Sequence, residues 1–176
     1  MRAGFLGGLL LITALVSGCG FAANGGSEPT PLFTPQPSLS PTLQVCWNQL
    51  SSVLSAAGFD LVQPVSAVRP AESPLLTSAP RTVGQVLLPG DPDHGYIVIY
   101  EFQDPASAYA AARQQAAYVA SGEGGIQFVP DTKFTLRQYG SCVIFYAWSP
   151  SASTDPRSPA IQPVLEGLGV EIPISH

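Results

Sequence analysis

Apolar residues in this chain recur at spacings that alternate between those of helices and those of strands. Over residues 43–57 they follow one another three and four positions apart, which predicts a helix capped by Ser40 or Thr42 and ended by Gly58. Residues 59–81 contain four prolines and are expected to form an irregular segment. Residues 82–88 fit a short strand, and the sequence PGDPDHG at 89–95 fits a turn.

From residue 96 onward the pattern predicts the order strand, helix, strand, strand, helix, strand. The strands are expected at 96–102, 132–138, 142–148 and 170–172, and the helices at 105–121 and 158–168. This is the element order of a ferredoxin-like βαββαβ sheet, here over about 95–173. The first and third strands are apolar at nearly every position, as central strands are, whereas the second carries Lys133, Arg137 and Gln138.

The predicted fold class is therefore α+β, with residues 43–176 forming one small domain. The two helices of the βαββαβ unit are expected on one face of the sheet. Because strands that are apolar on both faces need cover on both, the N-terminal helix at 43–57 is expected to pack on the other face.

The first residues of the chain have a different pattern. Arg2 is followed by apolar and small residues as far as Val16, the organisation of an export signal. The apolar run is shorter than the ~20 residues of a membrane span. It closes on Val16-Ser17-Gly18-Cys19, which resembles the lipobox of bacterial lipoproteins.

This resemblance implies cleavage between Gly18 and Cys19 and attachment of acyl chains, palmitate among them, to Cys19. It places the mature protein on the extracytoplasmic side of a cell membrane or an outer membrane, with the lipid bilayer as its first partner. Residues 19–42 would then be the lipidated cysteine and a tether, since 20–42 hold five prolines among Ser, Thr and Gly. Such a tether spans ~25 Å as a flexible coil and ~70 Å when extended.

The charge of the chain excludes one class of partner. The chain has seven Lys and Arg residues and twelve Asp and Glu residues, and cleavage after Gly18 would also remove Arg2. A chain so poor in basic side chains cannot neutralise many phosphates, so we expect no nucleic acid partner. The sequence contains no GxSxG, HExxH or GxxxxGK motif, and no cofactor is expected.

The cysteines suggest a covalent link. With Cys19 lipidated, Cys46 and Cys142 are an even pair in an oxidising compartment, which predicts a disulfide between the first helix and a central strand. The loop it closes, ~96 residues, would contribute up to ~4.7 kcal/mol. Two buried free thiols are the alternative.

Two further groups of side chains are candidates for binding. Asp91, Asp93 and His94 are the densest set of metal-ligand types, but Asp, Pro and Gly also suit a tight turn, and we expect no metal site. The aromatic residues of the central strands should mostly be core. Any left uncovered would form a patch for an envelope protein or a second copy, with these candidates: Tyr96, Tyr100, Tyr146 and Trp148.

No residue pattern names a reaction or a ligand. The leading hypothesis is a non-catalytic, membrane-anchored lipoprotein that acts as a binding or assembly module of the cell envelope. The first alternative is a solute-binding or sensing lipoprotein with a small-molecule pocket between the 59–81 segment and the sheet. The second alternative is a small envelope enzyme, for which each candidate acid or base also has a structural role on offer.

Overall fold

The computed structural model describes residues 38–64 and 68–175. They belong to one compact unit, Pro37–His176. The predicted signal, the lipobox with Cys19 and most of the tether lie outside the described residues. The helices are α1 Pro41–Ala56, α2 Pro74–Ser78, α3 Pro105–Ala120, α4 Gly122–Gly125 and α5 Ile161–Glu166, the last preceded by a 3-10 turn at Ser158–Ala160. The strands are β1 Leu61–Val62, β2 Arg81–Val86, β3 Tyr96–Glu101, β4 Lys133–Tyr139, β5 Cys142–Trp148 and β6 Val170–Glu171.

Helix α1 confirms the first predicted element and its cap. The Ser40 hydroxyl accepts a hydrogen bond from the backbone N–H of Leu43 at 3.1 Å, which satisfies one of the free donors of the first turn. The helix begins two residues earlier than expected, at Pro41, because proline suits a first helical position. Gly58 follows the helix with a φ of +82°, a conformation that glycine adopts without strain.

The segment 59–81 is more regular than its prolines suggest. Leu61–Val62 add a short strand beside β2, and Pro74 opens the helix α2. Proline is tolerated in the first turn of a helix because its missing N–H would be unpaired there. The expectation of an irregular segment was thus wrong for these two stretches, and α2 buries Leu76 against α3.

The strands form one antiparallel six-stranded sheet in the order β1-β2-β3-β5-β4-β6. The α+β class, the βαββαβ order and the central position of β3 and β5 are confirmed. The strand order departs from that of a ferredoxin-like sheet at one strand, since β6 pairs with β4 and not with β3. The 89–95 connection makes β2 and β3 a hairpin, so β2 occupies the position beside β3 and the last strand goes to the other edge.

This order places the helices on opposite faces, where the sequence led us to expect α3 and α5 on one. The α3 connection from β3 to β4 and the α5 connection from β5 to β6 step in the same direction along the sheet. Because β3 and β5 run in opposite directions, right-handed connections put their helices on different faces. Helix α3 covers one face together with α2, while α1 and α5 cover the other.

The predicted disulfide is present. Cys46 of α1 is bonded to Cys142 of β5, with their Cα atoms 6.6 Å apart and 96 positions between them in sequence. Both residues are buried within the cluster formed by α1, α5 and the sheet. The bond therefore fixes α1 to a central strand, as the sequence predicted.

Candidate ligand-binding site

An open cavity of about 260 Å³ lies on the α3 face of the sheet, at the end where β3 begins and β5 ends. Its walls come from the segment 68–70, the β2–β3 connection, the loop 127–132 and residues 145–152. Most of the lining residues are apolar: Val68, Pro70, Val98, Phe128, Val129, Phe145, Ala147, Trp148 and Ala152. The polar and titratable residues among them are His94, Tyr96, Gln127, Thr132 and Ser149.

Helix α3 packs on this face of the sheet, and the lining residues lie outside its range. The buried face of α3 is mostly alanine, which lets the helix approach the sheet closely. Asp104 caps the helix as predicted, accepting a hydrogen bond from Ser107 N at 2.8 Å, and this bond lowers the pKa of its carboxyl group. After Ala120 the chain leaves the sheet to form α4 and a loop that returns at Lys133.

Phe128 anchors that loop to the sheet and forms one wall of the cavity. Its ring meets Phe134 edge to face, with centroids 4.8 Å apart, and lies 6.4 Å from the ring of Phe145. Such contacts stabilise aromatic pairs beyond the area they bury. These ring contacts hold the loop against the sheet.

The segment 68–73 is held at the opposite wall by a buried carboxylate. The side chain of Glu72 is 2 % exposed and is bonded to Arg69 at 2.9 Å, to Arg81 at 3.3 Å and to the Tyr100 hydroxyl at 2.7 Å. A buried charge needs such partners. This network keeps Val68 and Pro70 at the cavity, and the separation of its members in sequence hid it from pattern analysis.

A further set of hydrogen bonds joins the loop 127–132 to the turn after β5. The Asp131 carboxylate accepts hydrogen bonds from the Ser149 hydroxyl, from Ser151 N at 2.7 Å and from the Ser151 hydroxyl at 3.0 Å. These bonds, that of Ser149 first, lower the pKa of Asp131. The Ser149 hydroxyl at the cavity wall therefore donates to a carboxylate and is not paired with His94.

The candidate metal ligands have other partners. Asp91 is buried, and its carboxylate is hydrogen-bonded to Nδ1 of His94 and accepts from Thr154 N at 3.1 Å. Asp93 is exposed. Across residues 38–64 and 68–175, no group of three His, Cys, Asp or Glu residues is placed to hold a metal ion. The 89–95 connection contributes His94 and Gly95 to the cavity wall instead.

The four candidate aromatics divide into two pairs. Tyr96 and Trp148 are half-buried and are among the lining residues. The Trp148 indole, however, packs against the α1 and α5 cluster, and its Nε1 donates to Gln162 at 3.3 Å. Tyr100 and Tyr146 are 0 % and 1 % exposed, so their prediction as surface interaction residues was wrong. Both belong to central strands covered on both faces, and burial raises the pKa of each hydroxyl, helped by Glu72 at Tyr100 and by the charge of Asp91 at Tyr146.

The large apolar side chains exposed in the described part of the chain are dispersed over different elements. They are Val45, Leu75, Leu87, Tyr109, Ile126, Val129 and Val170. Only Ile126 and Val129 are near each other in sequence, in the loop over the cavity. None of the helices in the described ranges has the length and apolar character needed to cross a membrane.

Comparison of the chain with protein-family models, with curated proteins and with solved structures finds no match. The cavity and its supports are therefore interpreted from their own geometry.

Proposed function

We propose that this chain is a non-catalytic binding domain, held on an extracytoplasmic membrane surface by a lipid on Cys19, and that it binds a small, mostly apolar molecule. The observation that carries the proposal is the cavity beside β3 and β5. Ligand sites are typically concave and mostly apolar, with a few polar groups that fix orientation, and this cavity has that composition.

The size of the cavity limits the ligand. Its 260 Å³ is just below the ~300–1,000 Å³ typical of sites for drug-sized molecules. Two fused aromatic rings, or a short branched or cyclic hydrocarbon with a polar substituent, suit this volume. Its position between the segment 68–70 and the sheet is that of the pocket in the solute-binding hypothesis.

Binding of a small molecule is favoured here over docking of a protein. A protein-docking surface usually gathers its apolar and aromatic side chains into one patch. In the described ranges the exposed large apolar side chains belong to different elements, and the half-buried Tyr96 lies at the concave cavity. The lipobox-like sequence supports the anchor, and the tether would let the cavity face the space outside the membrane.

The proposal is tested by titrating the full chain carrying Cys19→Ser with 2-naphthol and following the fluorescence of the probe. We expect saturable binding at one site. Ala147→Phe and Ala152→Phe, each at the cavity wall, should weaken binding at least tenfold, while Ala110→Phe on the exposed face of α3 should leave it unchanged. Absence of saturable binding, or equal binding by all four proteins, would contradict the proposal.

The anchor has its own test. Cells that express the unaltered chain are grown with labelled palmitate, beside cells that express Cys19→Ser. Label should enter the unaltered protein and not the variant. If the unaltered protein takes no label, or if the variant takes as much, the lipid anchor at Cys19 is refuted while the cavity proposal stands.

A further inference from the structure

Two of the polar side chains at the cavity wall, Gln127 and Ser149, already have partners within the protein. The Gln127 side-chain amide donates to the Tyr118 hydroxyl at 2.5 Å and to the Glu123 carbonyl at 3.3 Å. The Ser149 hydroxyl donates to Asp131. Within the described residues, no hydrogen bond engages the Tyr96 hydroxyl, the Thr132 hydroxyl or Nε2 of His94. Of these three groups, the imidazole is the one whose orientation is fixed by a second bond, that of its Nδ1 to Asp91.

Asp91 determines which nitrogen of His94 carries the proton. An ionised carboxylate only accepts hydrogen bonds, and that of Asp91 also accepts from Thr154 N at 3.1 Å. The bonded Nδ1 must then be the donor. In the neutral imidazole this leaves Nε2 as an acceptor, held in place by a residue that is 4 % exposed. The His94 side chain itself is 47 % exposed and so is open to a ligand.

The charges around the cavity disfavour an anion. Among the described residues that line the cavity there is no Lys or Arg. Two carboxylates lie directly behind the wall, Asp91 against His94 and Asp131 against Ser149. A buried anion would lose its hydration without gaining a counter-charge and would be repelled by both groups. The apolar walls penalise a buried cation in the same way unless it reaches one of these carboxylates, which already have donors.

The rings at the wall suit an aromatic ligand. Phe128, Phe145 and Tyr96 contribute to the lining, and aromatic groups pair favourably when stacked or edge to face. The Trp148 indole packs on the α1 and α5 face and donates to Gln162. We propose, resting on the function proposed above, that the ligand is an uncharged ring compound whose hydroxyl or N–H group donates a hydrogen bond to Nε2 of His94. Asp91 is the positioning residue that presents this acceptor.

Three probes with the same two rings separate the features of this proposal. 2-Naphthol is neutral and has a donor, 2-methoxynaphthalene is neutral and has none, and 2-naphthoate is an anion. Each is titrated into the full chain carrying Cys19→Ser at pH 8. We expect 2-naphthol to bind about fivefold more tightly than 2-methoxynaphthalene, as one neutral hydrogen bond would give, and 2-naphthoate to bind most weakly.

The matched variants then assign the preference to a residue. His94→Ala, and His94→Leu as a second variant of similar bulk to the imidazole, should bring the ratio of the two neutral probes close to one. Ala110→Phe, on the exposed face of α3 and outside the cavity lining, should leave the ratio at about fivefold, in line with one hydrogen bond to His94. Thermal unfolding of each variant checks that the domain is intact.

The outcomes separate the two proposals. If none of the three probes binds the unaltered domain saturably, the proposed function fails and this inference with it. If all three bind but 2-naphthol has no advantage, if the advantage persists in both His94 variants, or if 2-naphthoate binds most tightly, the cavity is a ligand site and the role of His94 is refuted.

Discussion

Loss of the Cys46–Cys142 bond should lower the free energy of unfolding by several kcal/mol. The bond joins residues 96 positions apart. In the chain-entropy model a loop of about 100 residues contributes about 4.7 kcal/mol, because the cross-link restricts the unfolded chain. Disulfides usually contribute about 2–4 kcal/mol, so we expect a loss of about 3 kcal/mol in this domain.

The folded state should survive this loss. The contact between α1 and the sheet also rests on the apolar side chains of Leu43, Leu50 and Leu54, each at most 5 % exposed. Burial of a side chain of this kind contributes about 1.5–3 kcal/mol. The variants should therefore keep their circular dichroism spectrum and their cavity, and unfold at lower urea concentration.

Urea unfolding of four proteins isolates the contribution of the bond: the unaltered chain, Cys46→Ala, Cys142→Ala and the double variant. Either single substitution removes the same bond, so the two single losses should each approach the loss in the double variant. Losses that sum to that of the double variant, or a double variant within about 1 kcal/mol of the unaltered chain, would refute a stabilising cross-link.

Four further substitutions, one of them a control, test the fold by urea or thermal unfolding. Gly169→Ala should lower the free energy of unfolding by about 3 kcal/mol or more, because φ is +49° and a Cβ atom would lie 2.0 Å from the Gln138 carbonyl oxygen. Gly140→Ala is the control: φ is +57° but the space is open, so the loss should be only about 1 kcal/mol. Equal losses in the two variants would contradict this. Arg137→Met should lower the free energy of unfolding by about 3 kcal/mol, since the buried guanidinium donates to three backbone carbonyls at and just after the end of α5. A loss below about 1 kcal/mol would contradict that role. Bonds from Arg157 hold the pKa of Asp155 at about 2, below its ordinary 3.8. The difference in stability between the unaltered protein and Asp155→Asn should therefore be present at pH 7 and be lost as pH falls from about 4 towards 2. A difference that does not change with pH would contradict this.

Elements governed by local patterns were predictable from the sequence. Helix α1 and helix α3 follow apolar spacing and have a serine and an aspartate cap, and the central strands are nearly continuous apolar runs. The disulfide followed from the parity of the cysteines and from the compartment that the lipobox-like sequence implies. These inferences use neighbours in sequence or a simple count.

Features that depend on distant pairing were not predictable. The position of β6 beside β4 follows from the β2–β3 hairpin, because the side of β3 that a ferredoxin-like sheet gives to its last strand is already occupied. The burial of Tyr100 and Tyr146 follows from helices on both faces. No spacing rule places these helices before the strand order is known.

The sequence suggested where a cavity could lie, between the segment 59–81 and the sheet, but not which residues would line it. The segment 59–81 was a candidate wall, yet the residues that build the site come from four separated parts of the chain. Glu72 reaches Arg81 and Tyr100, and Asp131 reaches Ser149, only in the folded state. A turn motif drew attention to His94, but the pairing with Asp91 that gives the imidazole its acceptor required the structure.

Chemical-shift mapping of the backbone amides during titration with 2-naphthol tests the proposed binding site most directly. Saturating shifts are expected at Tyr96, Phe128 and Ala147, on three separate parts of the cavity wall, with little change at Leu50 and Leu165 on the opposite face. Absence of saturating shifts, or shifts centred on the α1 and α5 face, would contradict a ligand site in this cavity.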